Sequence, residues 1–405
     1  MAAAQVRRRR VFYIPGYDPI PPRRYRELYR AESAIQGALR GHEIALRPRR
    51  KGERFGWGVD ARIEGETVEI EFEVLVWSDI VRSSMGPGIA STYWQMCRTA
   101  WVYASTGALW RLMGLRKGPV IAALYPVAML LAQLLAALLV ALGLAWGVGA
   151  VAPNPLGVLV GIAGFVVVLR WFRKKDGKFF AYYLMHDYGF SARFKGANPP
   201  ALEARMADFA GIVATALADD IDEVLVVGHS SGAHIAVSVL ADLIRAGKVP
   251  PTGPCLSFLS LGQVVPMVSF LPDAHRLRAD LGVLGSTRAL AWVDVSAPGD
   301  GCAFALCDPV AVSGVAVCPR TGPLILSAAF TQTLQPETWA RLRRRYFRLH
   351  FQYLCAFDNL PKRRDAYDYF AVTAGPLTLA ERFATRTPSR SLIDRPASRY
   401  TSTAA

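Results

Sequence analysis

The segment Val224-Leu225-Val226-Val227-Gly228-His229-Ser230-Ser231-Gly232-Ala233-His234 decides how the chain is read. Its first four residues are apolar without a break and rich in valine, the mark of a strand buried on both faces. Ala233 to Ile244 then reads as an apolar helix. Between them stands the pattern G-x-S-x-G, in the strand–turn–helix setting that gives the pattern meaning. A turn this sharp holds its serine in a strained backbone conformation, and side chains two residues to either side would collide across it. Gly228 and Gly232 remove that collision. The turn lifts Ser230 Oγ clear of the sheet at a helix N-terminus, where the helix dipole favours negative charge on a reacting oxygen. Ser230 is the candidate nucleophile.

Outward from this elbow, strands and helices alternate. Val11 to Ile14 is a short apolar strand that ends in the turn Pro15-Gly16, and Arg23 to Leu39 is helix-like. Glu43 to Leu46 reads as a second strand. Val68 to Trp77 alternates Glu69, Glu71 and Glu73 with Ile70, Phe72 and Val74, the period of a half-exposed strand. Pro200 to Ala218 carries a helical apolar face, and Leu256 to Leu261 and Ala291 to Val295 are further strands. Strands separated by helices predict a mostly parallel sheet with helices on both faces.

A serine hydroxyl needs a base, and the base needs an orienting acid. In strand–elbow–helix serine enzymes both follow the serine in the chain. Asp300 lies just past the strand Trp292 to Val295, where a loop carboxylate can hold an imidazole. Asp294, within that strand, and Asp308 are the other candidates. His350 is the histidine that follows any of them. His275 would break the order, and His229 and His234 sit too close to Ser230 to turn back on it. A tetrahedral intermediate needs two backbone N–H donors. Ser231 supplies one. Tyr17, after Ile14-Pro15-Gly16, supplies the other, with Gly16 allowing close approach. The long stretch Pro336 to Ala356 reads as one Arg-rich helix carrying His350.

Residues Pro119 to Ala152 contain no charged side chain, and Val120 to Trp146 contains a single polar one, Gln133. Such a run is long enough to span a bilayer. After Pro153-Asn154-Pro155 a second run extends from Leu156 to Leu169, or to Phe172 if Arg170 snorkels. Arg111, Arg116 and Lys117 precede the first run; Arg170, Arg173, Lys174, Lys175 and Lys178 follow the second. The connecting loop is uncharged. The positive-inside rule therefore predicts a membrane hairpin with both ends cytoplasmic. Ser91 to Met113, with Trp94, Trp101, Tyr103 and Trp110, is amphipathic and suits the headgroup region.

Composition agrees with a folded, membrane-associated chain. Hydrophobic residues make up 52% of the 405, which excludes a disordered chain. The apolar residues are not spread over many long runs, so a polytopic transporter is not expected. The formal charge is +15, but no nucleic-acid-binding motif accompanies it, so an Arg-rich genome bias or attraction to anionic lipid is the better account and no nucleic-acid partner is expected. The six cysteines include no C-x-x-C pair and read as free thiols in a reducing compartment. The start, Met1 to Arg10, lacks an apolar h-region, so no signal peptide is expected. No H-E-x-x-H, P-loop or dinucleotide fingerprint occurs; neither a metal nor a nucleotide cofactor is expected.

Taken together, Val11 to Asp18, the Gly228–Gly232 elbow, Asp300 and His350 resemble the α/β-hydrolase superfamily of serine esterase and lipase type. Leu259-Ser-Leu-Gly262, Trp292 to Asp300 and His350-Phe-Gln-Tyr-Leu354 look like pieces of uncharacterised bacterial members. The resemblance covers residues 8–80 and 180–375. It implies a Ser230–Asp300–His350 triad and an acyl-enzyme route. The predicted hairpin adds a bacterial plasma-membrane location with the hydrolase part cytoplasmic, and by holding that part near the bilayer it favours a lipid-like acyl substrate over a small soluble one. The chain departs from the family in carrying the hairpin before the nucleophile strand, and in placing His350 outside an obvious loop after a last strand. The expected organisation is a hydrolase core at 1–114 and 175–383, interrupted by the hairpin at 115–174 and followed by a solvated, disordered tail at 384–405. Two other readings use the same residues: an acyltransferase or thioesterase with Ser230 as nucleophile, and a silent hydrolase fold serving as a membrane binding module.

Overall fold

The computed structural model describes residues 5–49, 54–86 and 88–404; Met1–Ala4, where the chain's start was read, lie outside them. Its centre is an eight-stranded sheet. The strands are β1 (Arg8–Ile14), β2 (Glu43–Arg47), β3 (Gly56–Ile63), β4 (Glu66–Val74), β5 (Glu223–His229), β6 (Cys255–Leu261), β7 (Ala291–Ser296) and β8 (Leu324–Ser327). They lie in the order β2-β3-β4-β1-β5-β6-β7-β8. From β4 to β8 every neighbouring pair is parallel, and β2-β3-β4 form an antiparallel edge. The chain is thus mixed α/β with a mostly parallel sheet.

Alternation along the central strands feeds two cores. Val11, Tyr13, Leu225 and Val227 point to one face, where the helix Arg23–Arg40 contributes Tyr25 and Tyr29. Phe12, Ile14, Val224 and Val226 point to the other, beneath the helices Pro200–Leu217, Gly232–Arg245 and His275–Ser286. Strand β4 ends at Val74 rather than Trp77. Its Glu69 and Glu71 are covered by Arg47 from the edge strand, at 3.0 and 2.5 Å, and Glu73 is buried against Arg49 at 2.6 Å.

Two expectations are corrected. The stretch Pro336 to Ala356 is not one helix: it breaks into Pro336–Leu342, Tyr346–His350 and a 3₁₀ turn, Gln352–Leu354. In a continuous helix the His350 carbonyl would accept from Leu354 N–H. Here Leu354 N–H turns to Phe351 O, which frees the His350 carbonyl for another donor. Nor is 384–404 a loose tail. Its backbone runs along the body, with Ser389 N–H on Ile325 O, Ile393 bridged to Leu306 and Asp308, and Ala397 N–H on Val312 O. Arg278 and Arg111 donate to Ser402 O and Ala397 O. A polar segment is held here by hydrogen bonds that composition does not reveal.

Two helices, Lys117–Gly149 and Asn154–Lys174, are long and apolar enough to cross a membrane. They pack on each other through small residues. A Cβ on Gly157 would lie 2.5 Å from Ala145 O, and one on Gly161 2.7 Å from Ala141 O. Their other faces present Leu135, Leu139, Leu159 and Val167 outward. The base of the pair is attached to the body. Arg116 Nε donates to Ala305 O, Tyr93 OH to Leu130 O and Tyr125 OH to Phe179 O.

At the far end of the central strand pair, Arg9 and Glu223 face each other in register and form a fully buried ion pair at 2.6 Å. Arg9 also donates to Gly375 O and Leu377 O, while Glu223 accepts from Ser257 Oγ and Leu379 N–H. Removing one partner strands a buried charge. Glu223→Gln is expected to lose about 3–5 kcal/mol of stability in chemical denaturation. The Arg9→Met/Glu223→Met double variant should lose less than the sum of the single ones; strict additivity would show that the two groups do not act on each other.

Candidate active site

Strand β5 delivers Ser230 at its C-terminal end, one residue past the sheet. Ser230 has φ +57°, a left-handed conformation that a non-glycine residue adopts only under constraint. The glycines beside it explain the constraint. A Cβ on Gly228 would lie 2.8 Å from Ala233 Cα, and one on Gly232 would lie 2.1 Å from Ile14 O and 2.6 Å from Pro15 O. The elbow is therefore pressed on the end of β1, and the loop after β1 is pressed on the serine: a Cβ on Gly16 would meet Ser230 Cβ at 3.0 Å and Oγ at 3.4 Å. Neither the Tyr17 nor the Ser231 backbone N–H donates to any acceptor among the described residues. The Tyr17 side chain is turned away and bonds Ser84 Oγ at 2.6 Å, while its carbonyl accepts from Tyr183 OH at 2.5 Å.

Asp300 and His350 meet at 2.7 Å, Nδ1 to Oδ2. A carboxylate only accepts, so His350 Nδ1 is the donor, and in the neutral imidazole Nε2 is then the acceptor. Asp300 is buried and also accepts from Tyr353 OH at 3.0 Å and Cys302 N–H at 2.9 Å. Burial alone would raise its pKa, but His350 together with these two donors holds the carboxyl below the usual range. Tyr353 OH in turn accepts from Ala297 N–H, so the acid loop and the His350 turn are tied together. Gly262, after β6, has φ +53°, and a Cβ there would meet Tyr353 Cε2 at 2.6 Å and His350 Cε1 at 3.2 Å.

The pair reaches the elbow through His229. Its Nε2 donates to the His350 carbonyl at 2.9 Å, the acceptor freed by the break in the helix, and the two imidazoles lie 4.8 Å apart. Ser230 N–H donates to Leu261 O, one residue before Gly262. Ser230, Asp300 and His350 thus converge on the C-terminal ends of β5, β6 and β7. Ser230 Oγ makes no hydrogen bond among the described residues; such bonds commonly tighten only when substrate is bound.

The alternative acids and bases stand elsewhere. Asp294 is buried within β7, accepts from Ser260 Oγ at 2.7 Å, and is pushed by burial up to about 7. Asp308 caps the turn Pro309–Val312. His275 contacts Arg278. Asp300, Cys302 and His350 have ligand-type atoms within 4.8 Å of one another. The Asp300–His350 approach is a hydrogen bond.

Two residues at the site carried no sequence signal. Tyr353 is one. The other is Asp187, on the helix Ala181–Arg193 that follows the apolar pair. Tyr183 and Phe190, one turn to either side, both contact Tyr17, so helical spacing aims Asp187 at the same loop. Its carboxyl accepts no hydrogen bond among the described residues. Burial pushes it up to about 7 despite the opposing pull of His350. Neither a family model, nor a curated protein, nor a solved structure matches the chain.

His229 and His234 are held neutral by burial, down to about 3 and about 4. His234 lies in the first turn of the helix Gly232–Arg245, where the dipole also opposes a positive charge. A histidine depressed in the folded state takes up a proton first in the unfolded one, so its contribution is intact above about pH 6.5 and is lost as pH falls toward 4. Unfolding titrations of the native chain should therefore slope more steeply than those of His234→Gln between about pH 6 and 4.5. The difference should be about 1.4 kcal/mol per pH unit. Parallel slopes would mean that His234 is charged inside the fold.

Proposed function

We propose that the chain is a membrane-anchored serine hydrolase of the α/β-hydrolase type that cleaves carboxylic esters. The observation that carries this reading is Ser230 held at φ +57° on the end of a central parallel strand, beside a buried Asp300–His350 pair at 2.7 Å. Glu64, Phe180, Lys195, Leu306 and Ala329 also have positive φ; what sets Ser230 apart is its place at the end of a central strand beside a buried acid–histidine pair. In this reading the strained turn presents the Ser230 hydroxyl at the strand end to which His229 and Gly262 tie His350.

In this mechanism His350 Nε2 takes the Ser230 proton as Oγ attacks the ester carbonyl. The carbonyl electron pair moves onto oxygen, and the Tyr17 and Ser231 N–H groups stabilise that oxyanion. The tetrahedral intermediate collapses as His350 returns the proton to the departing alcohol. Water, deprotonated by His350, then releases the acid and restores Ser230. Asp300 stays ionised throughout and holds the imidazole tautomer, with Tyr353 and Cys302 N–H fixing the carboxylate.

The two apolar helices serve as a hairpin anchor in the plasma membrane, with the catalytic part cytoplasmic. Their outward-facing leucines and valines, the uncharged loop and the basic residues at both outer ends support this. The anchor also bears on the substrate. Gly118, at the start of the first apolar helix, lies against Gly301, beside the acid. A site this near the base of the anchor favours an apolar, lipid-like acyl substrate.

Ser230→Ala should abolish both fluorophosphonate labelling and hydrolysis of p-nitrophenyl esters while leaving the fold intact, and His350→Ala should cost about as much, on the order of 10⁴–10⁶ in kcat. Asp300→Asn should cost roughly 10⁴ through the wrong tautomer. Labelling without ester turnover would favour acyl transfer to another acceptor; no labelling of the native chain would favour a silent binding fold. For topology, a cysteine at Asn154 should react with an impermeant thiol reagent outside intact cells, and one at Lys178 should react only after lysis. Labelling at Lys178 from outside would overturn the orientation.

A further inference from the structure

Beside the hairpin the structure holds an open groove of about 770 Å³, within the size range of ligand sites. Three helices wall it. Two are the apolar pair. The third is the amphipathic helix Ile89–Ser105, which supplies Ile89 and Tyr93. Tyr93 OH fixes this wall to the first apolar helix through Leu130 O at 2.9 Å, and Met96 packs with the buried Leu130. The groove is thus a built cleft between the body and the hairpin.

Its chemistry changes along its length. Phe165 and Val166 with Leu134 line one part; Arg170, Arg173 and Lys174 line the other. On the second apolar helix, Val166, Arg170 and Lys174 follow at intervals of four residues and share a face. The passage from Phe165 to Arg173 covers about 12 Å of helix axis. No carboxylate lines the groove among the described residues. The wall helices also carry exposed tryptophans. Trp171 is 50% exposed, and Trp94 and Trp101, on the third wall, are each 72% exposed, as interfacial side chains are.

We propose that this groove binds one anionic glycerophospholipid, with an acyl chain against Leu134, Phe165 and Val166 and the phosphate at Arg170, Arg173 and Lys174. A free anion leaves the apolar half unused, and a zwitterionic headgroup brings its own cation to three others. A lipid with a net negative phosphate satisfies both halves. Bound there, it joins the helix Ile89–Ser105 to the hairpin as a third component. The site is independent of Ser230 chemistry and rests only on the hairpin lying in a bilayer, which the Asn154 labelling reads separately.

The test uses the full chain, delipidated in mild detergent and offered equal amounts of phosphatidylglycerol and phosphatidylcholine with the same acyl chains, with retained lipid read by native mass spectrometry. One phosphatidylglycerol should be kept, with a preference on the order of tenfold to a hundredfold from three close cations. Arg170→Gln/Arg173→Gln/Lys174→Gln should erase the preference. Val166→Trp, which fills the groove and spares the charges, should lose the lipid. Arg170→Gln alone, a single exposed change, should weaken retention and guards against misfolding of the triple variant. Equal retention of both lipids by the native chain would overturn the proposal. So would undiminished phosphatidylglycerol binding in Val166→Trp, which would leave only surface attraction, or retention of inorganic phosphate in place of lipid.

Discussion

Residue 232 can only be glycine, because Ile14 O and Pro15 O occupy the place of its Cβ, at 2.1 and 2.6 Å. That one contact brings the elbow after β5 onto the end of β1. Once the two are pressed together, Gly16 lies on Ser230. The backbone of Ser230 has no relaxed alternative: its own N–H is taken by Leu261 O, and Gly228 is closed in by Ala233. The positive φ of Ser230 is therefore set by close packing among backbones rather than by its side chain.

The same two strands are fixed at their other end by charge. Arg9 stands opposite Glu223 in the register of β1 and β5. A slip of one residue would set Arg9 against Val224 and turn every core side chain to the wrong face. A buried ion pair adds little net stability against an apolar substitute; its worth here lies in register. Through Gly375, Leu377 and Leu379 it also recruits the chain that follows His350. Register at one end and steric closure at the other together hold the central pair, and every residue of the candidate site hangs from its C-terminal edge or from the neighbouring β6 and β7.

What sequence revealed follows from this. The elbow is local: strand, glycines, serine and helix occur within one short stretch, so their spacing could be read directly. Asp300 and His350, 50 residues apart, were singled out by chain order rather than by local spacing, whereas the two apolar helices were legible from length and composition. Strand β3 begins with Gly56-Trp57-Gly58 and β8 spans four residues; neither shows enough alternation to stand out. The break in the Arg-rich stretch is decided by the His229–His350 contact, 121 residues apart, which no local propensity records. Tyr353 and Asp187 are placed by tertiary packing alone. The 384–404 segment was misread because polar composition was taken for solvation, whereas its backbone found acceptors on the body.

The helix Ala181–Arg193 joins these themes. It emerges directly from the end of the apolar pair and at once reaches the site: Phe180 lies on Phe347, three residues before His350, and Tyr183 binds the Tyr17 carbonyl. Asp176, just before it, caps its first turn by accepting from the Tyr182 and Tyr183 N–H groups. At the other end of the apolar pair, Arg116 grips Ala305 in the acid loop. Both stems of the apolar pair thus bear on the candidate site, one on the loop of Tyr17 and one on the loop of Asp300. An anchor alone would need only one such attachment. Under the proposed mechanism, two attachments, to the two loops that would hold still while charge develops on the substrate oxygen and on the imidazole, would make the apolar pair part of the scaffold that positions the site. The position of the insertion, before the nucleophile strand and between the two loops it supports, then has a physical reason.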